Sequence, residues 1–103
     1  MTQPEFNPEV FRRAGIAVRH ILGLMPVSRP TVSLWLSGKQ RPSHFIAEEV
    51  AEVQRAVEAA LADERLPLPD SIIGRHRDSR VKATIREYMG LTAGSNESEG
   101  TAA

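Results

Sequence analysis

Cysteine is absent from all 103 residues. Disulfide bridges and cysteine-based zinc sites are therefore excluded, and the chain fits a reducing compartment, the cytoplasm being the expected one. Aromatic residues are scarce, with one Trp, one Tyr and three Phe, so any core relies on aliphatic side chains. No apolar run approaches the ~20 residues of a membrane span. No signal-peptide layout precedes Asn7, and no membrane partner is expected. Net charge is also missing: 13 cations balance 13 acids. That balance is zoned rather than even. Residues 1–43 carry six cations against two acids, net +4. Residues 44–70 carry two cations against seven acids, net −5, and residues 71–91 carry five against two, net +3. The N-terminal positive zone is the kind of footprint a polyanion selects.

Catalytic constellations are missing as well. His76-Arg77-Asp78 copies three letters of a kinase catalytic loop, but no glycine-rich phosphate loop accompanies it. His20, His44 and His76 lack the spacing of metal ligands. His20 is expected as a partly exposed helix residue and His44 in the first turn of a later helix. No serine sits in a nucleophile elbow, and Glu48-Glu49 reads as a solvated helix face. The expectation is a protein that is not an enzyme, with no metal, no cofactor and no small-molecule substrate.

What is present is helical punctuation. Asn7 followed by Pro8 is a start signal, and Gly15 ends that helix or bends it. Ala17 to Leu24 carry a second helical pattern, with Ile16, Ile21 and Leu24 apolar. Met25-Pro26-Val27 breaks it. Ser28 is then a good N-cap for a helix over 28–37, with Pro30 in the first turn, where its missing N–H is harmless. Val32, Trp35 and Leu36 recur at helical spacing and face inward, whereas Arg29, Ser33 and Ser37 face outward with Leu34 near the edge. Gly38 supplies the left-handed stop. Helix, short turn and capped second helix together make a helix-turn-helix. The fold class is all-α: a compact helix-turn-helix domain, a long helix and a short C-terminal helical unit.

Residues 10–43 resemble the lambda repressor and Cro type of helix-turn-helix, the XRE-like family of bacterial and phage regulators. Val27-Ser28, Thr31-Val32-Ser33, Trp35, Gly38 and Pro42 follow the family's run without a gap. Three positions depart from it: Pro26 replaces a turn glycine, Leu22 a small residue and Val18 a phosphate-contacting Gln. The resemblance implies a DNA-binding regulator, a repressor above all, whose second helix enters the major groove, about 12 Å wide. Arg29, Pro30, Ser33 and Leu34 are the base-contact candidates. Ser28, Thr31, Lys39, Arg41 and Arg19 are the phosphate-contact candidates. Ile21, Val27, Val32 and Trp35 form the motif's structural core. The expected partner is a palindromic double-stranded operator bound by a homodimer, with half-sites about 34 Å apart. Two other readings share these residues: the DNA-binding antitoxin of a toxin–antitoxin pair, and a protein-binding adaptor with a degenerate motif.

The domain is expected to span 1–65, including a long helix over 44–64 opened by Ser43. Its apolar positions Ile46, Val50, Val53, Val57 and Ala60 or Leu61 follow 4-3-4-3 spacing. Residues 66–91 are expected as a Pro-rich connector and a C-terminal dimerisation unit: a basic loop from Gly74 to Arg80, then a helix over 80–89. Val53, Val57, Leu61, Val81, Ile85 and Tyr88 are the candidates for the oligomer interface. The stripe of the long helix can equally pack on the N-terminal helices, the C-terminal unit can dock on the long helix of its own chain or of a second one, and the basic loop reads as a solvated surface or as a second phosphate contact. Residues 92–103 are expected to be a disordered tail.

Overall fold

A computed structural model describes residues 5–101. Five helices follow one another: α1 (Pro8–Arg13), α2 (Val18–Leu22), α3 (Arg29–Leu36), α4 (Ala47–Ala62) and α5 (Gly74–Thr101), with no strand among the described residues. The fold is all-α. No helix of the described residues is long and apolar enough to cross a membrane.

The first three helices are short and are held by their ends. Asn7 Oδ1 accepts the Glu9 N–H at 3.0 Å, capping α1. Gly15, at φ +72°, turns the chain away, and the Ile16 N–H closes back on the Phe11 carbonyl at 2.9 Å. α2 starts at Ala17, which has no side-chain acceptor. Its own N–H instead donates to His20 Nδ1 at 2.9 Å, the return half of a capping box. Gln54, buried in α4, ties the chain's start down: its Oε1 accepts the Asn7 N–H at 2.9 Å and its Nε2 donates to the Glu5 carbonyl at 3.0 Å.

α4 begins at Ala47 rather than at His44, because Ser43 closes a turn onto the Ile46 N–H and caps nothing. His44 and Phe45 are left exposed in that turn. α4 ends in a Schellman motif. The Arg65 N–H reaches the Ala60 carbonyl at 2.8 Å, the Glu64 N–H reaches that of Leu61 at 3.0 Å, and Glu64 occupies the left-handed position at φ +62°. The connector then alternates, Leu66 and Leu68 buried, Pro67 and Pro69 exposed.

Three expectations about the C-terminal third are corrected. The segment Gly74 to Arg80 is the first part of α5, not a loop. Its inward-facing positions are polar and so carry no apolar stripe. Arg77 donates to the carbonyls of Pro69 and Ile72 at 2.9 Å each and of Leu68 at 3.3 Å, and Asp78 bonds to α2. The helix does not stop at Gly90, which has no left-handed φ. An interior glycine weakens a helix by only about 1 kcal/mol, and no proline follows. The backbone of 92–101, expected to be disordered, thus continues as helix; Ala102 and Ala103 lie outside the described residues.

The third correction concerns the interface. Val53, Val57, Val81, Ile85 and Tyr88 are all buried within one chain, and Leu61 is half-buried against the same cluster. The connector brings α5 back onto α4, so the seam expected to meet a second copy is closed intramolecularly. Apolar 4-3 spacing reports that a face is covered, not which chain covers it. One core results, running from Val10 and Phe11 through Val32 and Trp35 to Ile85 and Tyr88. The unit over 66–91 belongs to that core rather than hanging from it.

Candidate nucleic-acid interface

α3 is anchored from behind by Val32 and Trp35, both essentially free of solvent contact. They pack into the cluster that also holds Ile21 and Met25, with Val27 half-buried at its margin. Every residue assigned to the motif's core therefore lies in the core or against it. The departures are absorbed there too: Leu22 and Val18 are half-buried against the cluster, and Pro26 is exposed. α2 and α3 are in direct contact, and α3 also rests on α1.

The opposite side of α3 is solvent-facing. Arg29, Pro30 and Ser33 are exposed, and Leu34 is 37% exposed. Arg29 has no ion pair among the described residues. Both ends of the helix are sealed by its own chain. Ser28 Oγ accepts the Thr31 N–H at 3.3 Å, and the two hydroxyls bond each other at 2.8 Å. Pro30 lacks an N–H, so little of the N-terminal amide edge is left over. At the other end the Gly38 N–H reaches the Trp35 carbonyl and the Lys39 N–H that of Leu34, both at 3.0 Å, with Gly38 at φ +80°. That Schellman turn fixes where Lys39 leaves the helix.

The phosphate candidates fall into four groups. Lys39 is exposed and unpaired among the described residues. Arg41 is held only by a loose 3.7 Å contact to Glu5, both side chains being mostly exposed. Ser28 and Thr31 are turned toward each other. Arg19 is engaged elsewhere: its Nε donates to Asp78 Oδ1 at 2.9 Å, leaving its side chain 56% exposed.

That Asp78 contact was invisible in the sequence, and it includes His20. His20 is 1% exposed, not a surface residue. Its Nδ1 accepts from Ala17, so Nε2 carries the hydrogen and donates to Asp78 Oδ1 at 2.9 Å. Burial lowers the His20 pKa from its ordinary value, against the opposing pull of the Asp78 hydrogen bond. The His20 and Arg19 bonds in turn lower that of Asp78. Arg86 adds a further link, its Nη2 donating to the Gly23 carbonyl at the end of α2 at 2.9 Å. α2 is thus fastened on one flank to α3 and on the other to α5.

Elsewhere, an open groove of about 340 Å³ lies between the chain's start and α4, lined by Phe6, Pro42, Ala47 and Val50 with Glu5 and Arg41 at its edge. No group of three His, Asp or Glu side chains among the described residues is placed to hold a metal ion. Comparison with family models, with curated proteins and with solved structures finds no match.

Proposed function

We propose that this chain is a sequence-specific DNA-binding regulator of the XRE-like helix-turn-helix type, acting in the cytoplasm and blocking transcription by occupying its operator. The observation that carries the reading is the division of α3. Val32 and Trp35 hold its inner side in the core, while Arg29, Pro30, Ser33 and Leu34 are left outward on a short helix sealed at both ends. A rigid, narrow rod with a polar outer surface suits the major groove. In this reading Arg29 meets a guanine edge, Ser33 donates or accepts, and Pro30 and Leu34 touch thymine methyls. Lys39 and Arg41 set the register on phosphates.

A palindromic operator requires a second copy. With the α4–α5 seam closed, the exposed apolar side chains Phe45 (82%) and Ile73 (72%) remain as contact points for it. The exposure of Ile73 also favours a second reading, an antitoxin that holds a toxin at its C-terminal unit. Co-purification of a small protein partner distinguishes that reading.

The test is selection of bound duplexes from a genomic fragment pool, followed by titration of the recovered site. Arg29→Ala should lose about 1–3 kcal/mol of discrimination for one base pair while melting like the wild type. Equal preference of variant and wild type for the recovered site rejects the assigned readout.

A further inference from the structure

Resting on the DNA-binding reading, the charge on α5 carries it further. Arg75, Lys82 and Arg86 recur at intervals of seven and four residues, which sets them on one edge of the helix. That edge runs beside α2. Asp78, one turn before Lys82, binds Arg19 and His20 of α2. The Lys82 stem lies against Gly23, where a Cβ would come within 2.7 Å of its Cδ. Arg86 donates to the Gly23 carbonyl at 2.9 Å.

The edge is electrically uncompensated. Asp78 is its nearest acid and already serves two donors. Glu87 sits about a third of a turn away and faces Arg65, at 3.4 Å. No carboxylate among the described residues pairs with Arg75 or Lys82. At about 1.5 Å rise per residue, Arg75 and Arg86 are roughly 16 Å apart along the axis. A duplex strand carries one phosphate per about 3.4 Å of helix axis, so an edge of that length can reach more than one phosphate. α3 touches α1 and α2 but not α5, and α2 touches both, so α2 stands between α3 and α5. In helix-turn-helix docking the first helix crosses the backbone that borders the groove its partner enters. In that docking, an edge on the far flank of the first helix is within reach of the same bordering strand.

We propose that the Arg75–Lys82–Arg86 edge of α5 is a second phosphate-binding site, holding the duplex backbone beyond the groove that α3 enters. It is indifferent to sequence and lengthens the footprint. It also gives α5 a role in DNA binding in place of the self-association expected of it.

The double variant Arg75→Gln with Lys82→Met tests this. Methionine keeps an unbranched stem against Gly23, and Arg86 is left to hold the Gly23 carbonyl. Binding is measured from about 50 to about 200 mM salt, on the duplex recovered with the wild type and on an unrelated one. The slope of log K against log salt should flatten by about 1.8 units, and both duplexes should be released by the same factor, on the order of tens-fold near 0.1 M salt. If the double variant melts early, Arg75→Gln alone should flatten the slope by about 0.9 units. A wild-type slope and affinity in the variants, with Arg29→Ala still losing its preference, overturns this site and leaves the α3 reading standing. A wild type that retains no duplex overturns both. Retention of an acidic protein instead of DNA, lost in the double variant, overturns the assignment to duplex.

Discussion

The two flanks of α2 are built from different chemistry. Toward α3 the junction is apolar, Ile21 and Met25 meeting Val32 and Trp35 in one buried cluster. Toward α5 it is polar: His20 and Arg19 to Asp78, and Arg86 to the Gly23 carbonyl. The apolar flank draws on burial, at about 25 cal/mol per Å², and is indifferent to pH. The polar flank contributes less per contact, but its strength depends on protonation. The consequence is a motif whose internal angle is set by packing and whose attachment to the C-terminal helix is set by a titratable residue.

The largest test of that contrast is Trp35→Ala, which should lower stability by about 3–5 kcal/mol and remove the helix pair as a cooperative unit. Chemical denaturation followed by circular dichroism reads it. On the polar flank, His20→Ala should lose about 2 kcal/mol, combining the cavity left by a buried side chain with a half-buried N–H at Ala17 left without its acceptor. A loss on the polar flank as large as that on the apolar one would break the distinction.

Acid separates the flanks more sharply. Burial holds the His20 pKa below its ordinary value of about 6.5. The unfolded chain takes up its proton near that pH, while the folded chain takes it up only lower. His20 therefore contributes stability that is intact above pH ~6.5 and declines as the pH falls below it. Asp78, whose pKa is lowered by the bonds from His20 and Arg19, adds a second decline below the ordinary carboxylate range. Thermal melts at steps between pH ~7.5 and ~5 should show the first decline in the wild type and its absence in His20→Ala. A melting temperature that does not move over that range would show that the polar flank is not titrated through His20.

How much of this was legible in the sequence follows the same division. α1 and α3 announce themselves through Asn7-Pro8, Ser28 and Gly38, because caps are local chemistry read over a few residues. Trp35 and Val32 were identifiable as core from spacing alone. The first turns of α5 were not: Arg77 and Asp78 do the inward work there, and a polar residue facing inward looks like one facing water. The burial of His20 had a single local hint, its place three residues after the helix start, but its partner lies 58 residues on. Of the two coverings open to the 66–91 unit, the long helix of its own chain is the one found, which takes the seam residues away from a second copy. The outward side of α3 was assigned residue by residue, and each of those residues is exposed.

The smallest expected effect lies away from both flanks. Glu64 holds a left-handed backbone at φ +62°, which disfavours any residue with a Cβ. Glu64→Gly should raise stability by about 0.5–1 kcal/mol without touching either junction of α2, since the relief exceeds the added freedom of the unfolded chain. A denaturation midpoint that falls instead would show that the Schellman turn relies on the Glu64 side chain.

Gln54 binds the segment before α1 solely through peptide groups, the amide of Asn7 and the carbonyl of Glu5. Such a clasp grips main chain and ignores what hangs from it. A library randomised at position 5 should keep its fold nearly throughout, whereas one randomised at position 54 should yield few folded members. Drift in the leading segment is thereby permitted by a residue half the chain away.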